Sequence, residues 1–327
     1  MIKFIYDNRI TQLFALILGL FILRITLFQL NPIEDFYIEQ RGIFRYLMVE
    51  INYFPWLSFW ISTVVIVFHS LILGQIVSEY NIIDRPGYSI LFFYGLLSSL
   101  FGGSILLSYV IVGQFFMLIG FWYLYRYLKG QYKRADLFVA ALFMGVSALS
   151  VPEFFWSLVF LIVIVLMFKA TQAGEVFTIV FGILIPYYLV SSIGYLASTD
   201  LNFKSALQLW NLKLTNTEIG AFNIPSFDWI VIANLMLVGI FGAIKVFGSY
   251  YRYNVDSRRS RLAMGFIAIF VLLIYVVKFE QYQAFFVFMS MPIAVYTANL
   301  FQIERPSVLT RLLFYIYVIG IVSYGFL

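Results

Sequence analysis

The sequence predicts an all-α fold, a polytopic transmembrane helical bundle of about eleven spans in one integral membrane domain over residues 1–327. The first observation is composition, since 63% of the residues are hydrophobic, only 11% are charged, and the mean hydropathy is +0.94. A soluble domain carries about 25% charged residues. The second observation is a series of apolar runs long enough to cross a bilayer, separated mainly by short polar turns.

The predicted spans follow from the apolar runs and the residues that break them. Residues 88–127 are too long for one span, and Gly102-Gly103-Ser104 divides them into a short and a long helix. Ser150-Val151-Pro152-Glu153 divides residues 137–169 in the same way. The other predicted spans are 10–30, 56–77, 176–197, 229–250, 262–277, 282–301 and 312–327.

The distribution of basic residues predicts the orientation. With the amino terminus in the cytoplasm, 15 of the 21 Lys and Arg residues fall on the cytoplasmic side and six on the outer side. This assignment places the carboxyl terminus outside the cytoplasm. It also places both longer polar segments, residues 31–56 and 198–228, on the extracytoplasmic face.

Composition also excludes several kinds of site and partner. The chain has no cysteine and a single histidine, which excludes cysteine-ligated metals and argues against a histidine-based metal site or a catalytic triad. The net charge of +5 is attributed to membrane topology, so no nucleic-acid partner is expected. Membrane lipids are the expected partners.

The first outer segment reads NPIEDFYIEQRGIFRYLMVEINYFPW and is the feature around which the other predictions are arranged. From Ile43 its apolar residues recur at helical spacing, with Arg41 and Arg45 on the other side, which predicts an amphipathic helix in the membrane interface. We expect this helix to form the roof of a site at the membrane surface. Glu34 and Asp35 precede it, and they are either a general base or metal-positioning pair, or solvated and helix-capping acids.

Three further groups are candidates for chemistry, each with an ordinary structural alternative. Arg24 lies about 10 Å below Asn31 in the first span, where a charge must pair with Glu153, Asp35 or a lipid phosphate, or snorkel to the headgroups. Lys204, in the second outer segment, is either a phosphate ligand or an ordinary headgroup contact. His69 is interpreted as an interhelical hydrogen-bonding residue rather than a ligand.

The whole arrangement resembles the GT-C superfamily of polytopic membrane glycosyltransferases. The resemblance is topological and rests on a cytoplasmic amino terminus, two outer segments with interfacial helices, and the acidic pair of NPIEDF at the exit of the first span. The run RGIFRYLMVEINYFPWLSFW is similar to the passage from interfacial helix to second span in that superfamily. The runs SALSVPEFFWSLVFLIVIVLMFKA and FGILIPYYLV resemble an uncharacterised group of bacterial multi-pass inner-membrane proteins.

The resemblance implies transfer of a sugar from a polyprenyl-phosphate donor, at the outer face of the bacterial inner membrane, to a lipid-linked or envelope acceptor. Asp35 would be the catalytic base or would help to hold a divalent metal, for which the chain has no motif, with Glu34 as the alternate. The residues expected to bind the donor phosphate are Arg41, Arg45, Lys204 and Arg24.

Two other functions stay open at this point. The outer segments are short and no soluble acceptor-binding domain follows the last span, which favours a non-catalytic subunit or scaffold of a bacterial envelope complex, with other membrane proteins as partners. A lipid or small-molecule transporter is the third possibility. It would have to use the few polar residues of the spans, chiefly Gln75, His69, Gln114 and Arg24.

Overall fold

A computed structural model describes most of the chain, and every regular element among its described residues is a helix. These are residues 10–30, 44–84, 88–100, 104–129, 133–168, 173–196, 226–248, 251, 253–278, 282–302 and 308–325. They form one 3-10 helix (Pro152–Trp156) and twelve α-helices: α1 (Ile10–Leu30), α2 (Arg45–Asn52), α3 (Pro55–Glu79), α4 (Ser89–Leu100), α5 (Tyr109–Lys129), α6 (Arg134–Ser150), α7 (Ser157–Phe168), α8 (Ala173–Leu196), α9 (Ser226–Gly248), α10 (Val255–Lys278), α11 (Tyr282–Phe301) and α12 (Val308–Gly325).

The all-α prediction is confirmed, and the two predicted helix breaks lie where the sequence placed them. α4 ends at Leu100 and α5 begins at Tyr109, while α6 ends at Ser150 and the 3-10 helix leads into α7. Within the described ranges, four helices are long and apolar enough to cross a membrane: α1, α3, α5 and α8. Shorter apolar stretches lie in α4, α7, α9, α11 and α12, and the total of about eleven spans stays a prediction.

Close helix contacts hold the middle of the bundle together, and α6 and α8 give the clearest case. A Cβ atom at Gly145 of α6 would lie 2.6 Å from the Ile183 carbonyl oxygen of α8, and one at Gly182 of α8 would lie 2.6 Å from the Ala141 Cβ. Small residues of this kind let helix backbones approach closely where no hydrophobic effect drives helices together within lipid. Glycine is therefore required on both sides of this contact.

The outward surface of the bundle is apolar, as expected of a chain surrounded by lipid. On α1 the exposed large residues Phe14, Leu18 and Ile22 recur every four positions, which places them on one face. The opposite face of α1 carries buried Leu16, Leu20 and other apolar residues that pack into the core.

The two described ion pairs lie together at one end of the bundle. The basic end, which contains the connection between α3 and α4 and the beginning of α10, holds the Arg126–Asp136 and Arg261–Asp84 ion pairs. Lys129 there donates to the carbonyl of Glu79 at 2.6 Å and lies 5.3 Å from the centre of the Tyr80 ring. Burial raises the pKa of the Tyr80 hydroxyl, which keeps it neutral. The opposite end, named the Arg24 end, carries the candidate site.

Candidate functional site at the Arg24 end

Arg24 is the charged group at the centre of this end, and its side chain is completely buried. Its Nε atom donates to the Thr63 hydroxyl at 3.0 Å, and Nη2 donates to the Ser62 hydroxyl at 2.9 Å. Its Nη1 atom donates to the Ser99 hydroxyl at 3.3 Å. Three hydroxyl groups on α3 and α4 thus accept hydrogen bonds from one guanidinium on α1.

The three hydroxyl groups are oriented by their own donated hydrogen bonds. Thr63 and Ser99 each donate to a backbone carbonyl one turn earlier in their helix, at 2.8 and 2.6 Å. Ser62 donates to the Ser104 carbonyl at 2.5 Å. Since a hydroxyl has a single proton to donate, its remaining lone pairs are free to accept from Arg24.

The guanidinium also binds the non-helical connection between α4 and α5. Nη2 of Arg24 donates to the carbonyl oxygens of Ser104 and Ile105, at 2.8 and 3.2 Å. Non-helical backbone at membrane depth is tolerated only where its polar groups are satisfied inside the protein or face a water-filled cavity. A cation placed just beyond the carboxyl end of α4 satisfies these carbonyls and is also favoured by the helix dipole.

The positive charge of Arg24 is compensated by neutral groups among the described residues. Hydroxyl and carbonyl oxygens surround it, the Phe59 ring centre lies 5.9 Å away, and no carboxylate in the described part of the chain contacts it. Because the side chain is fully buried, it does not snorkel to the surface. Of the two acids proposed to pair with it, Asp35 and the side chain of Glu153 both lie outside the described residues.

A second polar cluster, named the latch, connects the short helix α2 to the same connection. The latch consists of Asn52, Ser58 and the backbone of Leu107. The Ser58 hydroxyl donates to Asn52 Oδ1 at 2.5 Å, and the Leu107 N–H donates to Ser58 Oγ at 2.8 Å. Asn52 Nδ2 donates to the Leu107 carbonyl at 3.2 Å, which closes the ring.

Aromatic side chains fill the space between α1 and α3 near the latch. Phe28 of α1 stacks on Phe59 of α3 at 4.8 Å between ring centres and meets Trp56 edge-on at 4.9 Å. Phe21 stacks on Trp60 at 4.8 Å. These ring contacts pack α1 against α3.

The structure places one of the six site residues that the sequence predicted. Glu34, Asp35, Arg41 and Lys204 lie outside the described residues, and for Arg45 only its backbone position at the start of α2 is described. Arg24 lies beneath the latch, and its contacts give it a structural role, so phosphate binding by Arg24 stays a prediction.

Sequence reasoning did not single out the residues that bind Arg24 or form the latch. They are small polar residues in otherwise apolar helices, and the recurrence of Ser58, Ser62 and Thr63 on one face of α3 is the signal that points to them.

Of the four polar residues on which a transport path would depend, His69, Gln114 and Arg24 are buried and bonded within the protein, whereas Gln75 is exposed. His69 Nδ1 lies 3.1 Å from the Tyr94 hydroxyl of α4, the interhelical hydrogen bond that the sequence predicted. The His69 ring stacks on Phe115 at 5.7 Å, and its Nε2 has no partner among the described residues. Gln114 donates to the Val287 carbonyl at 2.8 Å.

Comparison of the chain with protein-family models, with curated proteins and with solved structures found no match. Within the described residues, no group of three or more His, Asp or Glu residues is placed to hold a metal ion. The case for a function therefore rests on the arrangement of α1 to α5 at the Arg24 end.

Proposed function

We propose that this chain is a GT-C-like glycosyltransferase of the bacterial inner membrane, with the Arg24 end on the extracytoplasmic face. Its donor would be a polyprenyl-phosphate sugar and its acceptor a lipid-linked or envelope hydroxyl group. The observation that carries the proposal is the position of α2. This short amphipathic helix is fixed by the latch across α3 and the α4–α5 connection. Between the end of α1 and the start of α2 lies the segment that contains Glu34 and Asp35.

The proposed reaction assigns one role to the acids and another to the cations. The Asp35 carboxylate, or Glu34 in its place, accepts the proton of the acceptor hydroxyl as the oxygen bonds to the anomeric carbon. The bond from that carbon to the phosphate oxygen breaks, and polyprenyl phosphate leaves with the electron pair. Arg41, Arg45 and Lys204 stabilise the negative charge that develops on the leaving phosphate.

Arg24 has a supporting part in this proposal. Its hydrogen bonds to the Ser104 and Ile105 carbonyls hold the α4–α5 connection in place beneath α2. The hydroxyl groups around it already donate to carbonyls, so they do not offer donors to a phosphate. The leaving phosphate is therefore assigned to the cations of the outer segments.

The test is sugar transfer by purified protein in lipid vesicles, supplied with a labelled polyprenyl-phosphate sugar and a membrane-extract acceptor pool. Replacing both acids, Glu34→Gln with Asp35→Asn, should lower the rate by a factor of about 100 or more, the usual contribution of a general base. Glu50→Gln is the matched control, because Glu50 is an exposed acid on α2 itself. Undiminished transfer by the doubly substituted protein would exclude the assignment of the acids.

A non-catalytic subunit or scaffold is the second candidate, and one observation favours it. The polar groups described in the Arg24 cluster and the latch form hydrogen bonds with one another. The Arg24 guanidinium donates its hydrogen bonds to protein oxygens. Stoichiometric co-purification of a partner membrane protein, unchanged in the Glu34→Gln, Asp35→Asn variant and accompanied by no transfer activity, would select this function.

A further inference from the structure

The attachment of α2 to the rest of the bundle is unusually narrow. Among the six α2 side chains that the structure describes, Met48 and Asn52 are the buried ones, at 2% and 3% exposure. Leu47 and Val49 of α2 are exposed, as are Tyr53 and Phe54 directly after it. α2 packs chiefly against α3.

The described side chains of α2 make two different kinds of interaction. The exposed apolar side chains partition into the membrane interface, which keeps the helix at that depth but does not fix its direction in the plane about the short turn, Tyr53 and Phe54, that joins it to α3. The latch is specific, because its three hydrogen bonds join defined atoms of Asn52, Ser58 and Leu107. Among the described contacts, the latch is the hydrogen-bonded one that fixes where the carboxyl end of α2 lies within the plane, while Phe44, directly before α2, stacks on Phe116 of α5 at 6.4 Å between ring centres.

The latch and the α4–α5 connection are held by different hydrogen bonds. All three latch hydrogen bonds are between neutral groups, which water at the interface can replace. The α4–α5 connection is also held by Arg24 through charge-assisted hydrogen bonds at Ser104 and Ile105. Opening the latch would release α2 and leave the connection in position.

We propose that α2 is a movable roof whose closed position is set by the latch. Release of Asn52 lets α2 shift in the interface plane and uncovers the Leu107 peptide group and the aromatic residues around Phe59. In its link to activity the inference rests on the proposed function, because this movement would control access of the lipid donor to the outer segment. The movement itself can be measured without activity.

The absence of cysteine from the chain makes the measurement direct. Spin labels are attached at Leu47→Cys on α2 and at Val159→Cys on α7, two exposed positions, and the distance between them is measured in lipid nanodiscs. With the latch intact the distance distribution should be narrow. Asn52→Ala should broaden it or add a second distance, and Ser58→Ala, which opens the ring from α3, should do the same.

Two controls make the result specific. Val49→Ala changes an exposed residue of the same helix and should leave the distribution narrow. A second label pair, Val159→Cys with Leu237→Cys on α9, should stay narrow in every variant and so report that the bundle is folded.

A distribution that stays narrow in both Asn52→Ala and Ser58→Ala would overturn the movable roof, even if the protein proves to be a transferase. A broadened distribution in a protein without transfer activity would support the movement of α2 and contradict the proposed glycosyltransferase function.

Discussion

Two buried arginines lie at opposite ends of the bundle, and the protein compensates their buried positive charges in different ways. Arg24 is 0% exposed and Arg261 is 1% exposed. Arg24 is surrounded by hydroxyl and carbonyl oxygens from three segments of the chain. Arg261 pairs with the Asp84 carboxylate at 3.2 Å and lies 3.3 Å above the centre of the Tyr253 ring.

The difference lies in what each arginine leaves behind if it is removed. The acceptors of Arg24 are buried, so they would lose their partner in a place that water does not readily reach. The side chain of Asp84 is 56% exposed and also accepts a hydrogen bond from the Tyr253 hydroxyl at 2.7 Å, so it would remain solvated. The comparison indicates that Arg24 stabilises the fold more than Arg261 does.

The largest effect is therefore expected from Arg24→Met, which keeps the length of the side chain and removes all its donors. We expect a loss of at least about 3 kcal/mol in the free energy of unfolding, because several buried neutral acceptors would lose their donor at a cost of about 1–3 kcal/mol each. Denaturant unfolding in a fixed lipid or detergent system measures it.

Arg24→Lys is the companion variant for Arg24→Met. Lysine keeps the charge but concentrates its donors at a single point, so it cannot reach Thr63, Ser99 and the Ser104 carbonyl together. Its stability should fall between those of Arg24→Met and the unchanged protein. An Arg24→Met variant as stable as the unchanged protein would show that the buried oxygens gain nothing from the guanidinium.

A smaller effect is expected from Arg261→Met, about 1–3 kcal/mol, because a desolvated cation–π contact contributes roughly 2 kcal/mol and the exposed ion pair adds little. Combining it with Tyr253→Phe tests the origin of that energy. Phenylalanine keeps the ring and removes the hydroxyl that donates to Asp84.

If the stacked ring is the main contact, Arg261→Met should cost nearly the same in the Tyr253→Phe background as alone. A strong non-additivity of the two substitutions would instead assign the stabilisation to the network around Asp84.

Features set by local sequence were predictable, whereas the long-range contacts at the Arg24 end were not. Length and hydropathy gave the helices, and glycine residues at 102 and 103 marked the break after α4. Arg24 stood out as a buried charge in need of a partner. Its acceptors, however, lie 38 to 81 residues away, and their approach depends on how α1, α3 and α4 pack, which periodicity does not encode.

The neutral oxygens that contact Arg24 were not expected from the sequence, and pairing with Glu153, Asp35 or a lipid phosphate stays a prediction because both acid side chains lie outside the described residues. Snorkelling to the headgroups was one expectation, and pairing with a carboxylate or phosphate was the other, because a full opposite charge is the simplest compensation for a buried cation. Several neutral oxygens, each already oriented by a hydrogen bond of its own, do the same in this structure.

The basic run Arg258 to Arg261, at the other end of the bundle, also makes contacts that the sequence pattern did not predict. The sequence pattern favours a topology signal and then a surface for anionic lipid. In the structure Arg261 is buried against Tyr253, and Arg258 donates to the Tyr253 and Tyr251 carbonyls at 2.7 and 2.9 Å. At least two of these arginines therefore hold the beginning of α10 in place, in addition to any role in topology.

The smallest effect is expected at the Arg126–Asp136 ion pair. Its arginine is exposed, unlike Arg24 and Arg261, so it shows what an arginine contributes without burial. The atoms are 3.4 Å apart, but the Arg126 side chain is 58% exposed, so water competes with the contact. Arg126→Gln should change the free energy of unfolding by less than about 1 kcal/mol, and added salt should reduce that difference further. Arg24→Met measured under the same salts should lose the same stability at each concentration, because its contacts are closed to solvent ions. If the Arg24 effect instead weakens with salt as the Arg126 effect does, ions reach the Arg24 cluster and its hydroxyl groups do not seal the guanidinium from the membrane surface.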